Sequence, residues 1–184
     1  DLNNLKTLDT GENINISDKE LMIINYWASW CLECIEEHPY LIELSKTKGF
    51  EDSVYMLSFQ DSRDNALKFI SEYGAGNINY LVDQKSKIAI YSGVFGVPET
   101  HILKNGEVIK KYIGPISIND FQEIINEASV YMSQQYYIQF AFKLGITSPI
   151  KKDEHLINEL MTILAKSKAD FTNFFSSITN ETTR

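Results

Sequence analysis

The stretch Leu21-Met22-Ile23-Ile24-Asn25-Tyr26-Trp27-Ala28-Ser29-Trp30-Cys31-Leu32-Glu33-Cys34 decides the fold. Its first seven residues form an apolar, bounded run rich in strand formers, which suits a buried central strand. A helix is expected to follow from about Cys31 to Ser45. It would turn Ile35, Leu41, Ile42 and Leu44 inward and Glu33, Glu36 and Glu43 outward, with Pro39 kinking it. Cys31 therefore lies where a strand hands over to a helix. Unpaired N–H groups and the helix dipole favour negative charge at that point. Two intervening residues bring Cys34 round one turn, within reach of a disulfide on Cys31. The pattern fits thiol exchange, in which the thiolate is the nucleophile. Cys31 is expected to attack and to be exposed, and Cys34 to resolve and to be buried.

Other uses of the pair stay open at this stage. A Cys31/Cys34/His38 metal site is conceivable, although structural zinc usually takes four Cys or His ligands. The only other histidines are His101 and His155, and there is no second Cys-x-x-Cys. Covalent haem attachment needs Cys-x-x-Cys-His, and Ile35 follows Cys34. Inert core cysteines fit poorly at a strand-to-helix junction beside tryptophan.

Working outward, Leu5–Ser17 suggests two short extended pieces around Asp9-Thr10-Gly11-Glu12. Val54–Phe59 reads as a second strand. Asp61 or Ser62 can cap a helix running to Tyr73, which Gly74 ends. Tyr80–Val82 is a short strand, followed by the apolar piece Ile88–Tyr91. Thr100–Leu103 and Val108–Ile113 flank Lys104-Asn105-Gly106-Glu107, and Asn-Gly is a strong hairpin signal. Ser117 opens a helix with Phe121, Ile124, Ile125 and Ala128 at helical spacing. Strands alternating with helices, then a hairpin and a helix, predict an α/β fold with a mixed sheet.

From Ser129 the character changes. Met132, Tyr136, Phe140 and Leu144 continue a helical stripe to Gly145, and Thr147-Ser148-Pro149 breaks it. A long amphipathic helix from Leu156 to Ile178 is expected beyond. The chain is thus read as a domain over 1–128 and a helical extension over 129–184. That extension either packs on the domain or serves as an interface, with Phe171, Phe174 and Phe175 as its aromatic cluster.

With 184 residues and ample apolar content, one domain with an elaboration is expected. A net charge of −8 argues against nucleic acid, which needs clustered Lys and Arg. No run approaches the ~18–20 apolar residues of a membrane span. The chain reads as a mature or trimmed portion, and any membrane anchor would lie upstream of Asp1. Both cysteines lie in the one motif, so the pair looks like chemistry rather than a staple.

The segment from Asn25 to Cys34, with Pro39 five residues after Cys34, resembles the active-site segment of thioredoxin-like proteins. Val97-Pro98 matches the position of their cis-proline. The longer match, Trp30-Cys31-Leu32-Glu33-Cys34 together with Gly93-Val94-Phe95-Gly96-Val97-Pro98-Glu99-Thr100, is similar to the CcmG/DsbE family of cytochrome c maturation thioredoxins. It covers about residues 1–128.

The resemblance implies a thioredoxin fold with a redox-active Cys31–Cys34 disulfide and no other cofactor. It implies a reductant on the outer face of the bacterial inner membrane, in the periplasm, tethered by an N-terminal helix. A membrane thiol-transfer protein would supply electrons. Apocytochrome c, or a maturation partner bound to it, would receive them. Glu37 and Glu99 sit at positions acidic in this family. Asn25 stands where ordinary thioredoxin has a buried aspartate, so proton transfer near Cys34 would fall to Glu37. Trp30, Phe95, Val97, Pro98 and Glu99 would line the substrate groove, with simple packing as the alternative for Trp30 and Phe95. His38 reads as a surface or interface residue rather than a general base.

Acidic residues around the pair oppose thiolate formation and so favour a reductant. Solvated helix faces explain Glu33 and Glu36 equally well. Other functions left open are a general extracytoplasmic thioredoxin of the TlpA/ResA kind, an oxidant, or a non-redox holder of apocytochrome or haem.

Overall fold

A computed structural model describes Leu2 and residues 5–127. The helices expected over 129–184 lie outside the described residues. The described chain forms one seven-stranded sheet with helices on both faces, within the unit Asp1–Ala128. Its elements in order are β1 (Leu5–Thr7), β2 (Asn13–Ile14), β3 (Leu21–Trp27), α1 (Leu32–Lys46), β4 (Val54–Ser58), α2 (Arg63–Tyr73), β5 (Asn79–Val82), α3 (Lys87–Tyr91), β6 (Glu99–Lys104) and β7 (Glu107–Ile113). A last helical stretch, α4, runs over 118–127. The strand order is β2-β1-β5-β4-β3-β6-β7. β3, β4 and β5 run parallel, while β6 runs antiparallel beside β3 and β7 antiparallel beside β6.

The apolar runs sit where two-sided burial requires them. Met22 to Trp27 and all of β4 are buried, as parallel strands covered on both faces must be. β7 is the sheet edge, and Val108, Ile109 and Ile113 on it are exposed. Asn105-Gly106 forms the β6–β7 turn with φ of 49° and 82°, the paired positive values that make Asn-Gly a hairpin signal. A bulge follows: Ile102 pairs with Lys110 and Leu103 with Val108, which leaves Ile109 as the extra residue.

Alternation along β3 sorts the two faces. Ile24 and Tyr26 join Tyr55, Leu57, Leu81, Leu103 and Ala89 of α3 in one core. Asn25 and Trp27 point to the opposite face, where Asn25 bonds to Glu37 of α1 and Trp27 stacks on Phe69 of α2. One local expectation shifts: Ile88–Tyr91, read only as an apolar piece, is α3. Pro39 lies inside α1, as expected, and the helix continues past it to Lys46. Ser62, not Asp61, caps α2 by accepting from the Asn65 N–H. Ser117 and Asp120 cap α4 reciprocally.

Candidate active site

Cys31 is the N-cap of α1, in extended conformation (φ −90°, ψ 115°), and its Sγ accepts the Cys34 N–H at 3.1 Å. A backbone donor aimed at that sulfur favours a thiolate there once the bond is reduced. The two cysteines are joined by a disulfide, with Cα atoms 5.2 Å apart. Cys31 is only 3% exposed and Cys34 fully buried, which corrects the expectation of an exposed Cys31. The reason is local. The Cys31 N–H closes a turn on the Ala28 carbonyl, and the sulfur is engaged with both the Cys34 sulfur and the Cys34 N–H.

The turn before Cys31 is held from the loop after β4. Asp61 accepts the Ser29 N–H at 2.6 Å and the Ser62 N–H at 2.8 Å, while the Trp30 indole donates to the Gln60 carbonyl at 3.2 Å. In the sequence, helix capping is a sufficient account of Asp61, because a contact spanning 32 residues leaves no local signal.

Tyr26 pairs with Glu99 across β3 and β6. Continued by one residue, that register sets Pro98 beside Trp27, at the sheet end that carries Cys31. The Val97–Pro98 bond is cis, and the Pro98 carbonyl accepts the Gly114 N–H. Val97 is partly buried against the core, whereas Phe95 is 93% exposed. Core packing is thereby excluded for Phe95. Trp30, Leu32 and Ile113 are likewise apolar and exposed. Ile113 lies opposite Glu99, one residue from Pro98, and was not singled out beforehand.

Glu37 is buried on the face of α1 that carries Cys34, one turn further on. Its carboxyl accepts from Asn25 Nδ2 at 2.7 Å and from the Ile116 N–H at 2.8 Å. Asn25 Nδ2 also donates to Thr100 Oγ1 at 2.9 Å. Burial pushes Glu37 up to about 7, against the lowering effect of these two bonds. A carboxyl poised there can take and return a proton at neutral pH.

Glu99 is placed differently from Glu37. It lies on the other face of the sheet, buried, with Oε1 2.6 Å from His101 Nε2 and the Tyr26 ring against that imidazole. His38 is a correction: it is buried, its Nε2 is 2.9 Å from the Gly74 carbonyl, and its ring meets Phe69. An imidazole spaced four residues from Cys34 falls on the inner side of α1 rather than at the surface. The metal alternative gains no support, since both sulfurs are in the disulfide and His38 faces Gly74. Among the described residues no group of three or more His, Cys, Asp or Glu could hold a metal ion.

Comparison with known proteins agrees with this geometry. The chain is 37% identical over 97 residues to the thiol:disulfide interchange protein CycY of Rhizobium leguminosarum bv. viciae, covering 52% of this chain and 51% of that one. It is 32% identical over 107 residues to the thiol:disulfide interchange protein DsbE of Vibrio cholerae, covering 58% and 56%. The chain thus spans about half the length of the curated relatives it matches. Among solved structures, dsbF of MTB superposes with a TM-score of 0.58 at 20% identity, covering 70% of this chain and 95% of that one. The exposed lipoprotein thioredoxin Etrx1 of Streptococcus pneumoniae gives a TM-score of 0.58 at 22% identity, covering 67% and 97%. Both establish the fold.

A family model described as protein adenylyltransferase SelO matches residues 68–184. That span starts beyond the cysteine pair. Its described part supplies β5, β6 and β7, hydrogen-bonded in register to β4 and β3. By structure those strands are the second half of the thioredoxin sheet, inseparable from the half that carries the disulfide. With that sheet, the Cys31–Cys34 disulfide at the head of α1 and the cis Val97–Pro98 bond, the chain has a thioredoxin fold and is similar to the DsbE and CycY thiol:disulfide interchange proteins.

Proposed function

We propose that the protein is a thiol–disulfide oxidoreductase that donates electrons in cytochrome c maturation, on the periplasmic side of a bacterial inner membrane. The carrying observation is the Cys31–Cys34 disulfide at a helix N-terminus, with a buried carboxyl one turn behind it. In the reduced protein the Cys31 thiolate attacks a substrate disulfide, forming a mixed disulfide and releasing one substrate thiolate. Cys34 then attacks the Cys31 sulfur, which frees the second substrate thiolate and restores the Cys31–Cys34 bond. Two electrons have passed to the substrate, and Glu37 takes the Cys34 proton.

The exposed apolar residues Trp30, Leu32, Phe95 and Ile113 supply a docking rim for an unfolded segment. Val97 and the cis Pro98 supply backbone at the sheet end that carries Cys31, whereas Glu99 is buried against His101 and is not part of the docking rim. The relatives are thiol:disulfide interchange proteins by name, and the motif resemblance to the cytochrome c maturation thioredoxins favours apocytochrome c, or a maturation partner, as acceptor and a membrane thiol-transfer protein as donor. Among the described residues no helix is long and apolar enough to cross a membrane. No cofactor beyond the disulfide enters this reading.

The substrate is tested by trapping. With Cys34→Ser, the mixed disulfide on Cys31 has no resolving thiol and accumulates. A peptide with an oxidised Cys-x-x-Cys-His should be captured in preference to one carrying the same disulfide in an unrelated sequence. Equal capture of the two would leave a general reductase in place of the dedicated one.

A further inference from the structure

Three residues other than glycine near the site hold positive φ: Gln60 at 46°, Lys85 at 66° and Ser86 at 50°. Such backbone is uncommon for these residue types and persists where the surroundings enforce it. Two of the three meet, for the buried Ser86 hydroxyl accepts the Gln60 N–H at 2.8 Å across 26 residues.

Each partner reaches one side of the disulfide. The Gln60 carbonyl holds the Trp30 indole, and the next residue, Asp61, holds the Ser29 N–H. Ser86 opens α3 and is fixed in turn by its own N–H on the Asp83 carbonyl at 2.8 Å, while the Asp83 carboxylate takes the Ala89 N–H at 2.9 Å. α3 leads into the loop carrying Phe95 and Pro98, tied back by the Val94 N–H on the Ala89 carbonyl at 2.9 Å. The Ser86–Gln60 bond therefore couples the loop that presents Trp30 to the one that presents Phe95. Those two aromatic side chains are 60% and 93% exposed, so packing does little to fix their spacing.

We propose that Ser86 is a positioning residue, setting the separation of Trp30 and Phe95 and hence the affinity for peptide substrates, without acting on the sulfur chemistry. This rests on the thiol–disulfide reading above. Ser86→Gly deletes the hydroxyl while glycine accepts the positive φ at no steric cost, so folding is kept. Ser86→Ala deletes it with the backbone cost retained.

The experiment compares reduced wild type and both variants on two probes, a peptide with an oxidised Cys-x-x-Cys-His and hydroxyethyl disulfide. Both variants should raise KM for the peptide about fivefold with kcat little changed, as expected for the loss of one hydrogen bond. The rate with hydroxyethyl disulfide, which is too small to span the two aromatics, should not change, nor should the reduction potential. Acrylamide quenching should increase, and it reports Trp30 because Trp27 is fully buried. An unchanged peptide KM overturns the proposal. An equal loss on both probes overturns it too, by placing Ser86 in the sulfur chemistry. A wild-type protein inert toward both probes defeats the thiol–disulfide reading itself, which separates the two failures.

Discussion

Cys31→Ser should reduce the rate of disulfide reduction to background, a loss of roughly a thousandfold or more, while the fold survives. A serine hydroxyl does not ionise near neutral pH, so neither the helix N-terminus nor the Cys34 N–H has a charge to stabilise there. The substituted hydroxyl can still cap α1, because serine is among the preferred N-cap residues. The loss should therefore appear in activity, with the circular dichroism spectrum of the reduced protein little changed. Stopped-flow reduction of a peptide disulfide by the pre-reduced protein measures it. Substantial residual turnover would mean that Cys34 can attack alone, against its full burial.

The second large effect belongs to Glu37. Glu37→Gln removes a buried carboxyl near Cys34 that is set to exchange a proton around pH 7. General acid–base assistance is typically worth roughly 10²–10⁴-fold. Resolution of the mixed disulfide should accordingly slow by about 10²-fold at pH 7, and the inflection near that pH should vanish from its profile. An unchanged profile would dismiss Glu37 from proton transfer.

Stability supplies an independent readout with a definite sign. The carboxyl is raised from an ordinary value of 4.5 to about 7, so the folded protein binds the proton more tightly than the unfolded chain. The stability Glu37 contributes is then complete below pH 4.5 and falls as pH rises from there to about 7, by about 3 kcal/mol for such a shift. Gln should flatten that slope. His38 and His101 act in the opposite sense. Burial lowers both, so the stability they support is complete above the ordinary value of 6.5 and lost as pH falls below it.

Much of this arrangement is legible in the chain. Leu21–Trp27 and Val54–Ser58 announce themselves as apolar runs because two-sided burial demands them, and Asn105-Gly106 marks its hairpin because both residues tolerate positive φ. The cysteine pair is legible because its chemistry is local: one helical turn and one helix terminus.

What sequence could not supply depends on register and long-range contact. Glu37 and Glu99 look alike as acids near a thiol, yet alternation along β6 sends Glu99 to the other face, onto His101. Asn25, Thr100 and the Ile116 N–H converge on Glu37 from three separate parts of the chain. His38 looks solvated in the sequence because a lone imidazole on a charged helix carries no sign of the Phe69 and Gly74 it meets. Exposure is also hidden from the sequence. Phe95 is apolar and exposed while Cys31 is chemically active and covered, each against its residue type.

The central claim, an electron donor built on Cys31 and Cys34, is tested most directly by the reduction potential of that couple against a glutathione or dithiothreitol buffer. A value near or below roughly −220 mV, the glutaredoxin range, is the predicted result. A value near roughly −120 mV, that of a strong oxidant, would contradict it and make the protein a disulfide donor instead.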